Sequence, residues 1–392
     1  MLPHSEFPKP NSELQQVSVL HVFGNLGSAG GAEKWFLELF KLQDPRIHFD
    51  FVSSIYNENL HNEITSLGSQ IHYVPFSHSP LPLSRFNPYL HAVRKILQNN
   101  SYNAIHVHQF DLAGEILRIA QQENIQKRIM TLHASAYHNT HPIRNLVFHT
   151  CGQNWIRKYA TNILPCSQLA AKNFNCTNSP KTKIIPPAIN TKHFNINNTT
   201  KLKLKNHYLN TFNIPQNKTI IGHIGRFTKQ KNHHFLIQLL SQLIKLNKNI
   251  HAILIGTGEL LPKIKQNINK LNLQKHITLA EQRNDVPNII ASMFDVLVLP
   301  SLYEGLPTVA LEALATGLAV VYSDKISPEL EQFFPARIFR EQLKIENWLN
   351  TIPLAINAKI KPQTALNEII NSPFSINSSL KNLAEIYGIQ DH

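Results

Sequence analysis

Cysteine is scarce in this chain: three residues in 392, at positions 151, 166 and 176. Their spacing suits neither a disulfide scaffold nor a zinc ribbon, and the count fits a reducing, cytoplasmic setting. Long hydrophobic runs are missing as well. The apolar stretches at 295–300 and 308–322 are broken by Pro or Glu well before the ~20 residues a membrane helix needs. A transmembrane protein is therefore excluded. The opening MLPHSEFPKPNSELQQ has no apolar core, so no signal peptide is expected. No repeat of 20–50 residues is visible, which argues against a solenoid. Acidic residues are in the minority, 25 against 38 Lys and Arg. The imbalance is spread out, with 16 basic and 11 acidic residues through Ala188 and 22 and 14 after it. A basic surface favours anionic partners. There is no recognition motif and no Lys/Arg run interleaved with aromatics, so nucleic acid is not the expected partner.

What is present is an α/β pattern. Apolar residues make up 42% of the chain, enough for a sizeable core. The length suggests two domains, at most three. Short apolar runs at 17–23, 48–55, 70–76, 104–108, 128–133, 162–166 and 183–186 alternate with helical-period segments. That alternation predicts βαβ units and a mainly parallel sheet. The stretch 190–217, rich in Asn, Lys and Thr, reads as a linker with one helix. A second α/β series follows, with strands at 219–224, 251–255, 276–279, 296–299 and 319–322. The expected architecture is two Rossmann-like doubly wound domains facing across a cleft. Their bounds are 1–189 and 218–374, joined by the linker 190–217, with 375–392 returning to the first domain. Ligands of such sheets bind outside the strand carboxyl ends.

The strongest constellation is PSLYEGLPTVALEALATG at 300–317. Pro307 suits the first helical position and Gly317 the stop. The predicted helix then runs from about Pro307 to Thr316, with Glu304 in the loop before it. Backbone amides of Gly305 to Thr308 would form an anion site. Glu312 lies about five residues into the helix, roughly 7–8 Å along it. Two carboxylates flanking a phosphate site at that separation suit the two ends of a nucleotide-sugar. The other reading is an ordinary strand–loop–helix with two solvated glutamates. A second cluster, GHIGRFTKQKN at 222–232, puts Arg226 and Lys231 after a strand. Two fixed cations neutralise a diphosphate and stabilise it as a leaving group; solvated loop cations are the alternative.

The glycine loop FGNLGSAGGAE at 23–33 opens the first helix and lets amides approach a phosphate. Its glycines at 24, 27, 30 and 31 depart from the dinucleotide fingerprint. His133 ends a strand and could place an imidazole in the cleft. His106 and His108 share one strand face, but no third metal ligand is evident from sequence. Arg283 and Val286, in EQRNDV at 281–286, could edge the nucleotide base. No two Asp residues are separated by a single position, so an Asp-x-Asp metal motif is absent. Phosphate stabilisation by cations and amides is expected instead of a metal.

The run 220–324 closely resembles glycosyltransferase family 4, which has the two-domain GT-B fold. GRFTKQKNH at 225–233, LIGTGEL at 254–260, RNDVP at 283–287 and the Glu-x7-Glu pair Glu304 and Glu312 carry the resemblance. The first half matches more loosely, through AGGAE at 29–33, His133, PCS at 165–167 and IIPPAI at 184–189. The overall look is that of bacterial capsule, exopolysaccharide and O-antigen enzymes. The resemblance implies retaining transfer from a nucleotide-diphosphate sugar to a growing glycan on a lipid-linked acceptor, with no metal or other cofactor required. It implies that Glu304 holds a donor-sugar hydroxyl and Glu312 the ribose, while Arg226 and Lys231 bind the diphosphate. Gly305, Leu306, Pro307 and Thr308 would line the sugar–phosphate junction. Gly30 and Gly31 would close on the phosphates, and His133 would stand near the anomeric centre. The stretch Pro186-Pro187-Ala188-Ile189-Asn190 departs from the family's Pro-Asn-Gly-Ile-Asp. Basic segments at 85–95 and 144–158 would rest peripherally on an anionic membrane at its cytoplasmic face, a solvated helix face being the alternative. Two other functions stay open: an epimerase or sugar phosphorylase of the same fold, and a catalytically silent sugar-binding subunit.

Overall fold

The structure, a computed structural model, describes residues 16–26, 31–75, 87–133 and 151–389. It divides into two compact units, residues 1–185 with 379–392, and residues 186–378.

The first unit is built on six parallel strands: β1 (Val17–Val22), β2 (Ile47–Ser53), β3 (Ile71–Tyr73), β4 (Ala104–Val107), β5 (Lys127–Leu132) and β6 (Asn162–Pro165). They lie in the order β3-β2-β1-β4-β5-β6. A parallel sheet is covered on both faces, which is why β4 is buried at every position and the strands read as continuous apolar runs. The helix Pro88–Asn99 shows how the covering elements are specified. Asn87 caps it by accepting from the amides of Tyr89 and Leu90, Pro88 fills its first turn, and Tyr89, Leu90, Val93 and Leu97 form its buried face. The order reverses between β1 and β4, which places a switch point at their carboxyl ends. The helix Ile376–Tyr387 brings the last residues into this unit, where Tyr387 packs edge-on to Phe49 and Lys183 pairs with Glu385 at 3.0 Å.

The second unit carries β7 (Thr219–Ile224), β8 (Ile250–Ile255), β9 (Ile277–Ala280), β10 (Val296–Leu299), β11 (Val320–Ser323) and β12 (Ile338–Glu341). All are parallel, in the order β12-β11-β10-β7-β8-β9. Its switch point lies between β7 and β10. The sequence pattern did not anticipate β12, of whose four residues only Ile338 is buried.

Two expectations change. The stretch 190–217 is not a free linker. Phe194 on the turn Thr191–Phe194, Tyr208 and Leu209 on the helix Asn198–Thr211, and the flanking Ile189 and Ile214 are buried in the core of the second unit. The segment 183–186 forms no strand. Lys183 and Ile185 donate to β6, but Pro186 and Pro187 have no N–H with which to continue a ladder.

Candidate active site

Two loops leave neighbouring strands at the switch point of the second unit. The first follows β7. Its Gly225 amide donates to Ile255 at the end of β8, and Phe227 donates to Thr257 at 2.8 Å. Gly256 lies directly beneath it with φ +143°. A Cβ there would collide with the Gly225 carbonyl, so the tight stacking of the two turns requires glycine. The chain then forms a short 3-10 turn, Lys229–Lys231. Asn232 follows in the left-handed region, and its side chain caps the helix His233–Leu246. The Lys231 stem lies flat over Gly225, where an added Cβ would come within 2.9 Å of its Cε.

The second loop follows β10. Two hydrogen bonds tie it to the first: Leu302 N to Gln230 O (2.8 Å) and Gln230 Nε2 to Tyr303 O (2.9 Å). Across this seam Lys231 Nζ donates to Glu304 Oε1 at 2.8 Å. The Ser301 hydroxyl donates to the same oxygen, and Ser301 is itself held by Ser323, which donates to its carbonyl. Lys231 and Glu304 are thus brought together by the fold. Arg226 is exposed, and among the described residues it makes no ion pair.

The helix after Glu304 runs Thr308–Ala315, one residue later than expected. Pro307 sits at its cap in an extended conformation (φ −74°, ψ 116°), so the first amide of the helix belongs to Thr308. Gly317 ends it with φ +87°. Val309, Ala310, Leu311, Ala313, Leu314 and Ala315 are buried. Each buried leucine contributes about 1.5–3 kcal/mol, which fixes the helix and leaves Glu312 as its half-buried polar position. Gly305 and Leu306 precede the helix, with Leu306 buried and the Gly305 carbonyl accepting from Ser327 N.

Arg283 and Val286 follow β9, two strands out from β7 at the edge of the sheet. Val286 opens the helix Val286–Met293. Arg283 grips Asp285 with two hydrogen bonds of 2.7 Å, and Tyr208 donates to the same carboxylate at 2.8 Å. The guanidinium also lies over the rings of Phe212 and Tyr208. The Arg283 hydrogen bonds hold the Asp285 carboxyl below its usual range, and burial is the first cause that pushes Tyr208 up to about 12. Arg283 is therefore engaged with the Asn198–Thr211 segment.

In the first unit, Gly31 opens the helix Gly31–Lys41, while Gly30 lies outside the described residues. His133 follows β5, half-buried, with Nε2 2.9 Å from His108 Nδ1. Burial pushes its pKa down to about 4. His108 in turn lies 3.0 Å from His21 Nδ1. His106 spans Tyr387 OH (2.7 Å) and Thr131 Oγ1 (2.6 Å). Of the basic residues considered for a membrane face, Arg94 pairs with Glu123 and Gln122, and Arg157 bonds Asn154 and the Phe174 carbonyl. Arg85 and Arg144 lie outside the described residues.

Residues 29–193 match the Glycosyltransferase Family 4 model, and residues 205–357 match the model for Glycosyl transferases group 1. The chain is a glycosyltransferase. Among its relatives is a putative glycosyltransferase, EpsF of Bacillus subtilis, 27% identical over 325 residues and 81% of each chain. The UDP-Gal:α-D-GlcNAc-diphosphoundecaprenol α-1,3-galactosyltransferase of Escherichia coli is 29% identical over 186 residues, 44% of this chain and 46% of its own. The crystal structure of Anabaena HepE in complex with UDP-glucose shares the fold at TM-score 0.74 and 19% identity, over 94% of this chain and 99% of its own.

Sequence reading of this glycosyltransferase missed the roles of Ser301 and Tyr208, the pairing of Asp285 with Arg283 and, above all, His21. The alternation of β1 puts His21 on a buried face, and its register opposite His106 is visible only once β1 and β4 are paired. No helix among the described residues of the enzyme is long and apolar enough to cross a membrane.

Proposed function

We propose that this glycosyltransferase moves a sugar from a uridine-diphosphate sugar to a growing surface glycan on a lipid-linked acceptor, with retention at the anomeric carbon and no metal cofactor. The contact between Lys231 and Glu304 carries this reading. A cation and a carboxylate at one switch point answer the two halves of a sugar nucleotide. On donor binding, phosphate oxygens replace the carboxylate as partner of Lys231, with Arg226 as second cation, and Glu304 turns to a sugar hydroxyl. Glu312 takes the ribose. Gly305, Leu306, Pro307 and Thr308 line the junction, Arg283 and Val286 edge the base, and Gly30 and Gly31 serve the phosphates. His133 stands near the anomeric carbon. The bond from C1 to the β-phosphate oxygen breaks as the acceptor oxygen bonds C1 on the same face. The leaving phosphate takes the acceptor proton, and the two cations stabilise it.

The names of relatives support the donor and acceptor: one solved neighbour is complexed with UDP-glucose, and the Escherichia coli relative is named for a UDP-sugar and a diphosphoundecaprenol acceptor. The site of action is the cytoplasmic face of the membrane. Peripheral lipid contact rests on Lys95 and Lys158 together with Arg85 and Arg144, since Arg94 and Arg157 are taken by protein partners. The deciding experiment is a thermal-shift screen against UDP-, GDP- and ADP-sugars. A ligand at 100 times its Kd adds about 2.7 kcal/mol to stability. Stabilisation by UDP-sugars is expected; stabilisation by a purine donor alone refutes the base, and by none refutes the site.

A further inference from the structure

Three imidazoles in the first unit form an unbroken line. His133 Nε2 faces His108 Nδ1 at 2.9 Å, and His108 Nε2 faces His21 Nδ1 at 3.0 Å. The far nitrogen, His21 Nε2, is buried with no hydrogen-bond partner. Phe36, Phe49 and Phe51 pack around the His21 ring, Phe49 inclined at 68° with centroids 4.3 Å apart, and the rings of His106 and Tyr387 lie beside it. Burial holds all three groups below the ordinary imidazole range, so they are neutral near pH 7.

A neutral imidazole carries one N–H and one lone pair, and each N···N contact at this distance requires one proton between its nitrogens. Applied along the line, these rules leave two arrays. Either all three rings are Nδ1–H, or all three are Nε2–H. The arrays differ in outward character only at the ends. In the first, His21 Nε2 is a buried lone pair with no donor to meet it. In the second it is an N–H, which an aromatic face can accept. A ring cage offers a lone pair nothing.

We propose that His21 and His108 are positioning residues that lock His133 as its Nε2–H tautomer, leaving His133 Nδ1 as a hydrogen-bond acceptor for a hydroxyl of the sugar substrate. The role at the sugar rests on the proposed function; the array itself does not. A metal is the competing use of this cluster, since ligand atoms of His21, His106 and His108 lie within 4.8 Å of one another. Nitrogens around one zinc ion sit roughly 3.3 Å apart, and both nitrogens of His106 are already bonded to hydroxyls.

The test is long-range ¹H–¹⁵N imidazole NMR on the full chain labelled with ¹⁵N-histidine, with signals assigned by single substitution. All three rings should be neutral and Nε2–H. A mixed set, an all-Nδ1–H set, an imidazolium, or stoichiometric bound zinc in the purified protein overturns the proposal. His108→Leu should cut kcat on the order of 10–100-fold with donor KM little changed, and should turn the His133 signal into a tautomer mixture. His108→Asn, which keeps an amide near the Nδ1 position, should restore part of the rate. An unchanged His133 tautomer in His108→Leu also overturns the proposal. If the tautomers are as stated but His133→Ala turns over normally, the assignment of His133 to the sugar has failed and the array stands.

Discussion

Lys231 and Glu304 hold each other at 2.8 Å with only 15% and 9% of their side chains exposed. The pair is part-buried, and Ser301 shares the carboxylate oxygen. Removing the cation leaves a carboxylate supported by one hydroxyl. Lys231→Met should therefore cost about 1–3 kcal/mol in urea unfolding as well as abolishing measurable transfer. Glu304→Gln keeps an oxygen for both donors. Its stability should stay near that of the parent, while transfer falls about 10²–10³-fold. Equal stability losses in the two variants would mean that the contact is mainly structural.

Leaving-group charge is assigned to Lys231, Arg226 and backbone amides. Transfer should therefore persist in excess EDTA, and Arg226→Ala should weaken UDP binding in calorimetry by about 1.5–3 kcal/mol, the range of a hydrogen bond to a charged group. Complete loss of activity on chelation, restored by a divalent ion, contradicts this.

Acid should destabilise the second unit through its buried imidazoles. His223 Nδ1 donates to the Val298 carbonyl at 2.9 Å, and burial lowers its pKa to about 4. The unfolded chain binds this proton near pH 6.5, so the stabilising contribution is full above 6.5 and is lost as pH falls toward 4. At about 1.4 kcal/mol per pH unit the loss approaches 3 kcal/mol. His223→Asn keeps a donor near Nδ1 and removes the titration. Its urea midpoint should fall less than the parent's between pH 7 and pH 5; parallel curves would contradict the assignment.

Gly256 is the clearest backbone test. Its φ of +143° and the Gly225 carbonyl above it exclude a side chain. Gly256→Ala should destabilise by more than 1 kcal/mol. It should also weaken UDP binding, because the turn beneath Gly225 sets the Arg226–Lys231 loop. A fold loss with unchanged UDP affinity would separate the two roles.

The second unit was legible because its signals are local. A strand, a glycine turn, a proline and a helix stop lie within 25 residues of one another, and their order dictates the loop conformations. The same locality brought Lys231 and Glu304 to adjacent loops without naming their contact, which needs the β7–β10 pairing. Three features were out of reach for a physical reason: they depend on partners far along the chain. His21 meets His108 across 87 positions, and His106 meets Tyr387 across 281. Tyr208 meets Asp285 across 77, which is why 190–217 read as a linker when its apolar residues were seeking a core in the second unit. The off-by-one helix start at Pro307 is a smaller matter of where an extended residue yields to the first helical one.

Residues 379–389 complete a sheet whose strands are made long before them. A nascent chain that has finished β1 through β6 still lacks the tyrosine hydroxyl that His106 bonds, and must wait roughly two hundred residues for it. At ~5–20 residues per second on the ribosome, that delay is on the order of ten to forty seconds. During it the histidine-lined side of the sheet has no cover from its C-terminal helix. A truncation after Ser378 should for that reason behave as a lesion of the amino-terminal half, leaving its protease sensitivity raised while residues 186–378 resist digestion as before.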